Sequence, residues 1–206
     1  MLLNRGRRSA RRSTQVLEDD LAQATRTAET ITTYLSSVID ATSVLYEKKL
    51  YGHLLTVVFA TIDTLGLLDA PPTQTSATGD GFKRWVNAYL LGKPLGSVTA
   101  VDLWGARCAV LHSHSSKSDS SRSGKARQIQ YFGGDKNSAA ARKFVRITNS
   151  MEGGIHVAMH FEDFYLAFIR AIANFAPQLE AKCETDNRYV TRLRDVLQVH
   201  PMDGVL

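Results

Sequence analysis

Cysteine is nearly absent from this chain of 206 residues: Cys108 and Cys183 stand far apart. That excludes a disulfide framework and the paired spacings of a zinc site, and it suits a reducing cytoplasmic setting. Long apolar runs are lacking as well. A bilayer-crossing helix needs about 20 apolar residues, and the best stretch, Leu54 to Leu68, is interrupted by Thr56, Thr61, Asp63 and Thr64. The first residues carry arginines with no apolar core behind them, so no secretory signal is expected. There is no Gly-rich phosphate loop and no nucleophile elbow, and no internal repeat. The glycine pairs Gly133-Gly134 and Gly153-Gly154 occupy turn contexts. What remains is a cytoplasmic globular protein with no membrane span. Its length suits one domain that buries roughly 70% of its unfolded surface.

Acids are missing from residues 1–12, which hold Arg5, Arg7, Arg8, Arg11 and Arg12 and account for the whole net charge of +5. A second basic segment, residues 115–146, contains Lys117, Arg122, Lys125, Arg127, Lys136, Arg142, Lys143 and Arg146 against Asp119 and Asp135. Concentrated positive charge attracts phosphate backbones through counterion release. A solvated tail and loop are the plainer account of the same pattern.

The chain divides into a flexible basic arm, residues 1–12, and a single helical domain, residues 13–206. Leu17, Leu21, Ala24, Ala28, Ile31, Leu35, Val38, Thr42 and Leu45 recur at spacings of four and three, a helical stripe of about eight turns. A second helix, about Leu50 to Leu68, is apolar on most sides and reads as central. Asp63 within it must be paired or sit at an exposed edge. A short helix follows through Phe82 and Trp85, then a fourth from about Thr99 to Ser113. A basic, Ser-rich loop and short strands occupy about 115–160, with strands expected at Gln128–Phe132, Phe144–Thr148 and Ile155–Met159. A long amphipathic helix carries Phe161, Phe164, Phe168, Ile172 and Phe175, and Pro177 is expected to end or kink it. A last short helix runs from about Arg188 to Val199. The fold class is therefore mainly α, a helical bundle with a small β-hairpin-like insertion after the fourth helix.

The segment Asp102-Leu-Trp-Gly-Ala-Arg-Cys-Ala-Val-Leu-His-Ser-His combines a permanent cation with groups that titrate near neutrality. RNA is cleaved without metal when its 2′-hydroxyl attacks the adjacent phosphate. Histidine moves protons near neutral pH. Arginine's guanidinium fork matches the charge and shape of phosphate oxygens. Arg107 is followed by His112 after four residues and by His114 after six. On a helix His112 lies about 140° round from Arg107 and His114 about 20° from it, so a shared face favours His114 if the helix continues that far, and both stay candidates. Ser113 and Lys117 are placed to help bind phosphate, and Arg122, Lys125 and Arg127 to gather the nucleic-acid backbone.

This pattern resembles the signature of the HEPN superfamily, an arginine followed after four to six residues by a histidine at the end of a bundle helix. The approach through Leu103 and Trp104 and the order of the preceding helices are similar too. The resemblance covers about residues 15–115 and the helix after 160. Cys108 departs from it, standing where the family often has a polar residue. The resemblance implies a metal-independent endoribonuclease, with Arg107 and His112 catalytic, no cofactor, and two protomers juxtaposing their motifs in a homodimer. By analogy it implies a toxin or defence role with a neutralising, antitoxin-type protein partner.

Other readings stay open. Arg107 can instead pair with Asp102 or Asp63 and organise the bundle, with His112 capping the helix end. The protein would then be a non-catalytic nucleic-acid-binding or assembly module. His156 and His160, with Glu162 and Asp163 behind them, have the i, i+4 spacing of some metal pairs. No Glu follows His156 and the segment alternates like a strand, so no metal is expected there.

Overall fold

The computed structural model describes the backbone of residues 3–113, 115 and 117–196, and the side chains among them other than those of residues 3–17, 19, 20 and 113. Helices build most of the core. Helix α1 spans Leu3–Glu47, α2 spans Tyr51–Asp69, α3 spans Gly79–Trp85 and α4 spans Ala100–Ser113. The backbone of the basic arm from Leu3 onward belongs to α1. Residues Val86–Leu90 continue α3 as a π-helical turn.

The apolar surround of α2 dictates its place. Leu54, Val58, Phe59, Ile62, Leu65 and Leu68 are all at most 1% exposed. Each such side chain contributes roughly 1.5–3 kcal/mol of transfer free energy. By length and composition α2 would suffice to cross a membrane, but its apolar residues are consumed by Phe82, Trp85, Phe164 and Phe168 of the surrounding helices. Among the described side chains of the α1 stripe, Ile31, Leu35, Val38 and Thr42 are buried. Leu21 is 70% exposed, so the stripe outruns the bundle that covers it.

The insertion has a different topology from a hairpin. Strand β1 (Gln128–Phe132) pairs with β2 (His156–His160) in parallel, Gln128 opposite His156 and Phe132 opposite His160. Parallel neighbours require a crossover, and helix α6 (Ala139–Ser150) supplies it. A one-turn helix α5 (Asp119–Arg122) precedes β1. The strand expected at Phe144–Thr148 is therefore helical. Ser138 caps α6, its hydroxyl accepting from Ala141 N, and three alanines follow it. Ala141 and Thr148 then fall seven residues apart on one face and are buried. The run Phe-Val-Arg-Ile-Thr carries β-branched residues in near-alternation, which for five residues fits either period.

Helix α7 (Phe161–Thr185) continues past Pro177, which does not end it. The lost hydrogen bond and the ring clash cost about 3 kcal/mol. Phe175, Leu179 and Cys183, all buried on the inner face, outweigh that cost and carry the helix on. Helix α8 (Asn187–Arg194) then folds back, and Arg192 donates to the carbonyls of Leu67, Ala70, Pro71 and Gln74 at the exposed end of α2.

Candidate active site

Helix α4 is anchored at its start before it presents anything at its end. Thr99 and Asp102 form a reciprocal cap: Thr99 Oγ1 accepts from Asp102 N at 3.2 Å, and Asp102 Oδ2 accepts from Thr99 N at 2.9 Å. Asp102 is 2% exposed. Its carboxylate also accepts from Arg127 N at 2.8 Å and from Arg127 Nη2 at 2.6 Å, which ties β1 to α4. Burial pushes the Asp102 carboxyl up, but the hydrogen bonds from Arg127 and Thr99 outweigh it and hold the group below its ordinary value. Gly105, one turn on, lets the chain at Ala126 approach: a Cβ on Gly105 would lie 2.9 Å from the Ala126 methyl.

Arg107 follows, held on two sides and open on a third. Its Nε and Nη2 donate to Asp63 Oδ2 of α2 at 2.8 and 2.5 Å. Its guanidinium carbon lies 5.0 Å from the ring centre of Trp104, one turn back on α4. The indole is itself fixed, edge-on to Phe82 at 5.3 Å and against Gly79, where a Cβ would approach it to 2.9 Å. The third side is open to His112, whose Nε2 lies 3.4 Å from Arg107 Nη1. Arg107 and Asp63 expose only 19% and 14% of their side chains, while His112 is exposed.

The contact has chemical content. A guanidinium has five donors and no acceptor. Arg107 can therefore hydrogen-bond His112 only when Nε2 carries no proton, and that is the form that accepts one from a hydroxyl. An imidazole and a fixed cation then share one rim of the bundle. Because the ion pair is largely buried, removing Asp63 leaves Arg107 charged and unpaired.

No protein-family model, curated protein or solved structure matches this chain. The site stands on its own geometry.

Of the alternatives open in the sequence, Arg107 takes Asp63 and not Asp102, which is committed to Arg127. His114 lies outside the described residues, as does the side chain of Ser113. Lys117 and Lys125 are exposed in the loop that follows, and Arg122 pairs with Asp119. Arg127 gives its Nη2 to Asp102 and to the Ser97 carbonyl, so its charge is spent inside the fold. His156 is 6% exposed, its Nδ1 3.1 Å from Gln130 Nε2. His160 caps α7 and bonds the Gly134 carbonyl at 2.8 Å. Burial, with Glu180 and Glu184 nearby, pushes the Cys183 thiol up to about 11, which removes it as a nucleophile. The part played by Trp104 was not drawn from the sequence. Its signal was the three-residue spacing to Arg107, which puts both on one helix face.

Proposed function

We propose that this protein is a cytoplasmic, metal-independent endoribonuclease of the HEPN type. The observation that carries the reading is the approach of Arg107 Nη1 to His112 Nε2 at 3.4 Å, with the guanidinium held from behind by Asp63. In the reaction Arg107 Nη1 releases His112 Nε2 as the guanidinium turns to the phosphate, and the freed Nε2 takes the proton of a ribose 2′-hydroxyl as its oxygen attacks the adjacent phosphorus. Arg107 stabilises the charge that develops on the phosphorane oxygens. The bond to the 5′-oxygen breaks, that oxygen takes up a proton, and a cyclic phosphate remains on the upstream fragment. The test is cleavage of mixed cellular RNA in EDTA by the parent protein and by site variants.

Asp63 is a positioning residue in this scheme. Asp63→Asn keeps the shape but weakens the hold on Arg107, and displaced catalytic groups lose rate steeply. The expected result is a roughly 10- to 100-fold fall in kcat, with no additional loss when combined with Arg107→Ala. Cleavage by Asp63→Asn at the parental rate would sink this role.

A homodimer follows from the same reading, and the 70% exposure of Leu21 supports α1 as its contact. Leu21→Asp is expected to shift the mass from dimer to monomer in light scattering and to abolish cleavage with it. An unchanged mass would remove α1 from the interface. An activity of this kind requires restraint, and a toxin or defence effector held by an antitoxin-type protein fits that need.

A further inference from the structure

The fold divides the basic segment. Arg122 pairs with Asp119, Arg127 with Asp102 and Lys136 with Asp163. Arg142, Lys143 and Arg146 are different. All three are exposed on α6, and none forms an ion pair among the described residues. Among the described residues Arg142 donates to the Asn137 carbonyl, just before the helix. No acid occurs anywhere in Ala139–Ser150.

Helix geometry shows which way these charges face. Buried Ala141 and Thr148 set the inner side of α6, against β2. At about 100° per residue, Lys143 and Arg146 point within about 50° of the opposite, outward crest, and Arg142 within about 90°. The exposed apolar residues Phe144, Ile147 and Met151 gather on one flank, between the crest and the sheet. The Phe144 ring is 37% exposed and lies 5.3 Å from Phe132.

We propose that the outer face of α6 is a nucleic-acid contact, which takes the phosphate backbone of single-stranded RNA on Arg142, Lys143 and Arg146 and a base against Phe144. The choice of RNA rests on the ribonuclease reading. The cationic crest is the independent observation. An anionic lipid surface fits less well, because insertion needs apolar residues at the crest with cations beside them. Here the cations hold the crest and the apolar residues the flank. Lys143 and Arg146 on the crest, with Phe144 on the flank about 100° round from Lys143, are the elements of a single-strand track.

The probe is a fluorescent 2′-O-methyl oligouridylate, which lacks the attacking hydroxyl and stays intact. Binding to the full chain is followed by anisotropy between about 50 and 200 mM salt. With about 0.7 counterions released per phosphate contact on a single strand, replacing all three cations with Gln should lower the salt slope by about 2. It should also weaken binding at least tenfold at the low-salt end. Phe144→Ala should weaken binding about fivefold or more without changing the slope. Arg142, Lys143 and Arg146 are exposed, so the triple variant should melt with the parent, while Phe144→Ala also gives up its contact with Phe132 and is compared with the parent below its own melting transition. An unchanged slope and affinity in the triple variant overturns the proposal. So does loss of binding to phosphatidylglycerol vesicles in that variant while oligonucleotide binding holds. Cleavage of unmodified RNA in EDTA is scored separately. If the parent does not cleave but the slope still falls, the ribonuclease reading fails and the α6 contact stands. Cleavage with an unchanged slope gives the reverse.

Discussion

His112→Ala is expected to leave mixed cellular RNA intact in EDTA, under conditions where the proposed activity has the parent protein cleave it. Loss of a positioned acid–base group lowers the rate by about 10²–10⁴-fold. Because His112 is exposed, its removal changes stability by only about 0.5 kcal/mol or less. A melting curve beside the cleavage assay therefore separates chemistry from folding. Arg107→Ala gives a similar loss, through the charge it would have placed on the phosphorane. It also strips Asp63 of its partner, so Arg107→Lys is the cleaner companion: it keeps the charge and loses the fork. The double variant is expected to fall no further than the worse single one, as groups acting in one step do. If His112→Ala cleaves like the parent, the Arg107 cluster is a structural device. The protein is then a binding module whose salt-sensitive contacts are indifferent to both residues.

Asp102→Ala unfolds the region that holds the site. The substitution removes the cap of α4, cuts the tie to β1 and leaves the Arg127 guanidinium, 31% exposed, without its carboxylate. Breaking a buried pair from one side costs about 3–5 kcal/mol. For a chain of this size that is a fall in Tm of roughly 10–15 °C, read by calorimetry or circular dichroism. The pH dependence has a definite sign. The folded carboxyl is held below its ordinary value of 3.8, so its stabilisation is complete above that value. It is lost as pH falls through the lower, folded value. Parent stability should drop with acid in that window, and Asp102→Asn should flatten the drop. A variant that melts with the parent and tracks its acid profile would mean that Thr99 and Arg127 find other partners.

Much of the helical plan was legible because its signals are local and repeated. The apolar surround of Leu54 to Leu68 announced a central helix, and α2 occupies that place. The spacing of Phe161, Phe164, Phe168 and Ile172 announced α7, though not its passage through Pro177. That passage depends on Leu179 and Cys183 finding a core to enter, which no local rule contains. The insertion was half legible. Gln128–Phe132 and the second strand stood out as apolar runs between turns, but parallel pairing is decided by which edges meet. A five-residue run at Phe144 cannot declare its period until Ala141 and Thr148 are seen against β2.

The candidate site shows the same division. The sequence by itself determined that Arg107 and His112 lie on one helix and that the acid at Asp63 had to be paired or at an exposed edge, since local spacing and the cost of burying charge are properties of the chain. Only the tertiary structure decided which acid Arg107 would take. Asp63 and Asp102 were equal candidates along the chain. Packing α4 beside α2 brings Asp63 within 2.8 Å of Arg107 Nε, while the return of β1 past the start of α4 gives Asp102 to Arg127. Partner choice in a buried ion pair is a matter of which helices meet, and spacing along the chain carries no information about that.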